Sequence, residues 1–138
     1  MPGYWILKTE PSTYSFDRLV NERRAVWDGV SNAVALKHIR NMATDDPVLI
    51  YHSGEGKELV GLARISSAPY PDPKRDDPKL MVVDIEVGRR LPKRVPLAAI
   101  KADPFFADLG LVRMSRLSVS PVPEAQWRKL LAMGGLSS

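Results

Sequence analysis

Apolar positions along this chain switch between strand-like runs and helical three-and-four spacing, and a proline, glycine or capping residue marks most of the switches. Tyr4 to Thr9 is a short aromatic and β-branched run closed by Glu10-Pro11, which predicts a strand stopped by a proline. Ser15 is placed to cap a short helix running to about Glu22, because Phe16, Leu19 and Val20 fall on one helical face. Asn32 or Ser31 opens a second helix from Ala33 to about Ala43, with Leu36, Ile39 and Met42 or Ala43 as the buried stripe, and Asp45-Asp46-Pro47 ends it. Val48 to His52 and Leu59 to Ser66 are β-rich runs joined by Ser53-Gly54-Glu55-Gly56-Lys57, the pattern of a hairpin with a glycine-containing loop.

Four prolines (69, 71, 73 and 78) exclude a central strand over Pro69 to Pro78, which reads as a long surface loop. Met81 to Val87 follows as a strand with Val82 or Val83, Ile85 and Val87 on alternate faces. Val95 to Ala102 suits a short helix opened by Pro96, and Asp103-Pro104 to Leu109 a further turn or short helix. Arg116 to Val119 reads as the last strand. Pro121 and Pro123 then introduce a C-terminal helix that ends at Gly134-Gly135, and its Trp127, Leu130 and Leu131 share one buried face. Strands mixed with short helices, without strict alternation, predict an α+β fold around a curved or closed sheet.

The length of 138 residues suits one domain with its own core. Twenty Lys plus Arg against sixteen Asp plus Glu give a net charge of +4, a mild bias compatible with a polyanionic partner. The absence of cysteine excludes disulfides and thiolate metal sites. No apolar run reaches membrane-spanning length, and Met1-Pro2-Gly3-Tyr4-Trp5 lacks the basic and apolar regions of a signal peptide. The expectation is a soluble, unprocessed, cytoplasmic protein without membrane association.

Candidate chemistry concentrates in Trp27-Asp28-Gly29-Val30-Ser31-Asn32, which combines an aromatic plate, a carboxylate, a hinge and an amide. Those groups suit a pocket for a flat hydrogen-bonding ring such as a nucleobase: the indole stacks, the carboxylate accepts from amines, and the amide donates and accepts along one edge. The same residues suit a purely structural role, with Trp27 in the core, Asp28-Gly29 a turn and Ser31 or Asn32 a helix cap. His38 and His52 are the only histidines, so a three-histidine metal site is impossible. His52 and Ser53 are strand neighbours pointing to opposite faces, which suits a hydrogen-bonded structural histidine better than a base with its nucleophile. Gly54-Glu55-Gly56 lacks the third glycine of a dinucleotide loop and leads into a strand. Basic residues recur at Arg23-Arg24, Arg89-Arg90, Lys93-Arg94, Arg113, Arg116 and Arg128-Lys129, as a binding face or as an ordinary solvated surface.

Four motifs in order carry a family resemblance: Trp5-Ile6-Leu7-Lys8-Thr9-Glu10-Pro11, Trp27-Asp28-Gly29-Val30 with Asn32, Tyr51-His52-Ser53, and Arg116-Leu117-Ser118-Val119 with Pro121. Together with Gly61, Tyr70-Pro71-Asp72 and Met81-Val82-Val83-Asp84, they resemble the EVE domain family of the PUA-like superfamily, from Tyr4 to about Leu131. The resemblance implies a single EVE-like domain over residues 1–138: a PUA-like curved sheet or pseudo-barrel of about five or six strands with surrounding short helices. It implies a noncatalytic reader of modified, for example methylated or hydroxymethylated, bases in DNA or RNA. The related YTH domains hold a methylated base in an aromatic cage. By that likeness Trp27 is the stacking wall and Lys8 and Thr9 line the same pocket. Gly29 and Ser31 sit in the pocket turn, Asp28, Asn32, Tyr51, His52 and Ser53 supply polar edges, and Arg116 is a phosphate or rim cation. No metal or organic cofactor is implied.

This chain has Ser31 where the family usually has Arg, and Leu80 where it usually has Trp before the Met81 strand. Its proline-rich loop is also shorter than usual. The first change removes a cation, and the second leaves a pocket open or apolar on one side if that Trp is a cage wall. Two other readings stand beside the reader: an enzyme acting on nucleic acid with His52 and Asp28 or Glu10, and a small-molecule or protein-interaction domain on the same fold.

Overall fold

The structure is a computed structural model and describes residues 3–54, 56–114 and 116–136. Glu55 of the expected hairpin loop and the Met1-Pro2 start therefore lie outside the described residues. Strands β1 (Trp5–Thr9), β2 (Arg24–Trp27), β3 (Pro47–His52), β4 (Glu58–Ile65), β5 (Tyr70–Pro71), β6 (Met81–Pro96) and β7 (Val119–Pro121) form one curled sheet. Its order is β2-β6-β4-β3-β1-β7, with β5 paired to β6 off that path. Among the described residues only β1 and β3 run parallel, Trp5 opposite Val48 through Thr9 opposite His52. The result is a six-strand half-barrel with short helices, in line with the curved sheet expected from the sequence.

Two apolar clusters lie on opposite faces of the central strands. Trp5, Leu7, Val48 and Ile50 pack with helix α1 (Phe16–Glu22) and helix α2 (Ala33–Arg40) through Phe16, Leu19, Leu36 and Ile39. Ile6, Leu49 and Tyr51 face Ile100 of α3 (Leu97–Lys101), Phe106 of a 3₁₀ turn (Pro104–Phe106), Leu111 of α4 (Gly110–Arg113), and Trp127 and Leu130 of α5 (Glu124–Met133). Burial on both faces explains why β1 and β3 read as continuous apolar runs rather than alternating ones. Both proposed helix starts hold: Ser15 Oγ accepts from the Arg18 N–H, and Asn32 Oδ1 accepts from the N–H groups of Val34 and Ala35 at 2.9 and 3.0 Å.

Several elements differ from the expectation. Arg24–Trp27 is an edge strand pairing with Glu86 to Val83 of β6, a placement supplied by the partner strand rather than by local alternation. β6 continues to Pro96 instead of ending at Val87, because β4 pairs along its length, with Glu58 opposite Pro96. The last strand is Val119–Pro121, so Arg116 sits in an exposed turn before it rather than in a strand. Pro121 is tolerated because β7 is an edge with β1 as its single neighbour. Tyr70–Pro71 forms a two-residue edge strand inside the expected loop, and α2 stops at Arg40 although Met42 remains buried. Among the described residues no helix is long and apolar enough to cross a membrane.

Candidate functional site

At the open end of β1 and β2 lies a cleft of about 450 Å³. Thr9 and Glu10 border it from the end of β1, Ala25 to Trp27 from β2, Asp28 and Gly29 from the turn that follows, and Ser118 from the approach to β7. Thr13, Tyr14 and Arg18 close the remaining side from the loop and first turns of α1. The position of Ser118 is set by its carbonyl, which accepts from the Lys8 N–H at 2.9 Å.

The wall containing Trp27 is built locally. Trp27 is the half-buried last residue of β2, where its ring packs against the first apolar cluster while bordering the cleft. Gly29 has φ +75 with no atom within 4 Å of where a Cβ would lie, so backbone conformation, not space, favours glycine there. Val30 is buried and anchors the turn. From the proline-rich loop, Arg75 donates to the Val30 carbonyl at 3.1 Å, to Ser31 Oγ at 3.5 Å and to Asp72 Oδ2 at 2.8 Å. Ser31 thus meets a guanidinium carried by a distant segment.

The opposite wall is a tied group. Tyr14 Oη donates to Glu22 Oε1 at 2.7 Å, Arg18 Nε binds Glu22 Oε2 at 3.1 Å, and the Arg18 guanidinium lies 4.9 Å from the Tyr14 ring centroid. Burial, followed by the bond to Glu22, pushes the Tyr14 hydroxyl up to about 12, so the phenol stays a neutral donor. Its backbone is fixed as well, since Thr9 Oγ1 donates to the Tyr14 carbonyl at 2.6 Å. The cleft therefore offers aromatic rings from two elements, with the carboxylates of Asp28 and Glu10 and the guanidinium of Arg18 at its margins.

The residues singled out from the sequence separate into groups. Thr9, Trp27, Asp28 and Gly29 border the cleft. Lys8 borders it at the strand end, but its ammonium lies 5.8 Å from the centroid of Tyr51, its register partner on the other face from Leu7 and Thr9. Burial and then the nearby Lys101 charge lower the Lys8 pKa. Tyr51 belongs to the second apolar cluster, and the Ser53 N–H donates to the Thr9 carbonyl at 2.9 Å. Asn32 uses its side-chain oxygen as the α2 cap, and with Arg116 borders a separate hollow. Leu80 packs on the first cluster and is not among the residues lining the cleft. Tyr14, Arg18, Thr13 and Ser118 escape the sequence reading; the Arg18 to Glu22 spacing is readable as an i,i+4 pair, but the placement of Tyr14 depends on the chain turning back at Glu10.

His52 Nε2 accepts the N–H of Phe16 at 3.0 Å, which joins the β3 end to the start of α1. Burial, reinforced by Arg94, lowers its pKa, consistent with a neutral acceptor. Because the folded pKa lies below the unfolded value of about 6.5, the contribution of His52 to stability is complete above that pH and is lost as pH falls below it. His38 is also lowered by burial and adds to the same trend. Thermal melts should therefore lose stability from about pH 6.5 downward, and His52→Gln should flatten part of that slope. An unaltered slope in the variant would remove His52 as its source. Among the described residues no group of three or more histidines, aspartates and glutamates is arranged to hold a metal ion.

A family model described as the EVE domain matches residues 3–133. The NMR structure of Rpa0253 from Rhodopseudomonas palustris is similar at 43% identity and TM-score 0.93, covering 99% of this chain and 95% of that one. Mouse thymocyte nuclear protein 1 is 27% identical over 96% of this chain and 74% of its own length. The crystal structure of human THYN1 protein in complex with 5-methylcytosine-containing DNA shares the fold, with TM-score 0.88 at 24% identity over 99% of each chain.

Proposed function

Since the chain belongs to the EVE domain family, we propose that its Trp27 cleft receives a modified base extruded from DNA. The observation that carries this reading is the convergence of Trp27 and Tyr14, from different elements, on one open cleft edged by Thr9, Glu10, Asp28 and Arg18. An extruded base loses its stacking neighbours, and an aromatic surface restores roughly 1–3 kcal/mol. The Asp28 and Glu10 carboxylates suit exocyclic amines, and the Arg18 guanidinium suits ring acceptors. Lys8, Tyr51, His52 and Ser53 support the strand ends behind this wall, while Ser31 and Asn32 hold the turn and helix behind Trp27. Human THYN1 protein in complex with 5-methylcytosine-containing DNA, a structure of the same fold, supports DNA as the first polymer to try.

The enzymatic alternative is less well supported, because the His52 nitrogen that would take a proton already accepts the Phe16 N–H. A titration panel separates the readings: duplex DNA, single strands and RNA carrying cytosine, 5-methylcytosine or 5-hydroxymethylcytosine, each at two salt concentrations. The reader binds one modified DNA more tightly than its unmodified twin, with the ratio persisting as salt weakens both. Equal affinity across the panel contradicts it, and chemical turnover of an oligonucleotide favours the enzyme.

A further inference from the structure

Beside the Trp27 cleft lies a second hollow of about 330 Å³, lined by Asn32, Val34, Arg113, Met114, Arg116 and Leu117. The two depressions are separated by short stretches of chain: Ser118 borders the cleft where Leu117 borders the hollow, and Gly29 borders the cleft where Asn32 borders the hollow. Leu117 is buried, whereas Val34 is 42% and Met114 46% exposed. A single exposed apolar residue is ordinary, but here two share one hollow with two exposed arginines. Among the described residues neither Arg113 nor Arg116 forms an ion pair, whereas Arg64, Arg75 and Arg94 are each tied to a carboxylate. None of the residues lining the hollow is acidic. The charge is complementary to a polyanion, and the apolar side chains suit a surface that is not only phosphate.

We propose that this hollow holds the DNA duplex immediately flanking the base in the cleft. Arg113 and Arg116 neutralise phosphates of the flanking strand, and Met114 with Val34 covers the base step left unstacked by extrusion. Methionine suits that role because its unbranched, polarisable side chain conforms to an irregular apolar surface. The assignment rests on the proposed reading of the Trp27 cleft, but the phosphate contacts hold for unmodified duplex as well, which makes the two separable.

The test measures dissociation constants over a salt series for two duplexes of one sequence, with cytosine or 5-methylcytosine at the central position. Arg113→Gln with Arg116→Gln should weaken both duplexes alike by roughly tenfold at low salt and make the salt slope shallower by just under two, about 0.9 per phosphate. Arg113→Lys with Arg116→Lys should restore the slope, because a phosphate contact needs the charge rather than the fork. Unchanged affinity and slope in the glutamine variant overturn the phosphate contacts even if 5-methylcytosine is still preferred. Loss of that preference in the wild-type chain, with the arginine effect intact, overturns the base reading alone. With 2-aminopurine beside the central base, Met114→Ala should change the fluorescence of the bound duplex at an unchanged salt slope; an unaltered signal overturns the apolar contact.

Discussion

Trp27→Ala should remove the preference for a modified base and weaken binding by roughly 1–3 kcal/mol, about five- to 150-fold, while the chain remains folded. Trp27 stands at the end of an edge strand, half-buried against the first cluster, so its ring serves the cleft more than the core. Trp5 and Trp127 behave differently: both are buried, and Trp5 Nε1 donates to Asp46 at 2.9 Å. Trp27→Phe should keep part of the affinity, because a smaller ring still stacks. Fluorescence anisotropy with a thermal melt of each variant checks both halves. A folded Trp27→Ala variant with wild-type affinity removes the stacking wall, and an unfolded one assigns Trp27 to the core.

Gly61→Ala should lower stability more than any change at the cleft, by about 1–3 kcal/mol, or roughly 3–10 °C in melting temperature. A Cβ at Gly61 would enter the ring of Phe16, which is fully buried against β4 at this point. The ring cannot swing aside without losing its burial, and the N–H of the same residue is committed to His52. Displacing Phe16 also loosens the start of α1, which carries Arg18 to the cleft, so ligand affinity should fall together with stability. Adding Phe16→Leu to Gly61→Ala should recover part of the loss, since the smaller side chain leaves space for the new methyl. A melting temperature unmoved by Gly61→Ala would contradict this packing.

Much of this arrangement is legible in the sequence where one physical signal dominates. An apolar run closed by Pro11 marks β1, one between Pro47 and Gly54 marks β3, and Ser15 and Asn32 mark helix starts with side-chain oxygens that do accept the expected N–H groups. What escapes the sequence is set by distant partners. β2 is a strand because β6 lies beside it, β6 runs on because β4 accompanies it, and Arg116 drops out of β7 because pairing to β1 starts at Val119. At the site, alternation along β1 carries the Lys8 side chain away from Thr9, a separation that a run of adjacent motif residues hides. Tyr14 enters only because the chain folds back at Glu10, whose carbonyl accepts the N–H groups of Thr13 and Tyr14. Arg75, some forty residues beyond Ser31 in the chain, reaches it for the same reason: the fold, not the spacing, makes them neighbours.

The central claim is that a modified base stacks on Trp27, and the three tryptophan indole N–H resonances report on it directly. In a titration of isotopically labelled protein with duplex DNA carrying 5-methylcytosine, the Trp27 indole signal should shift most and saturate with the binding curve. The signals of buried Trp5 and Trp127 should stay close to their free positions. A Trp27 signal that stays in place at saturation contradicts the account.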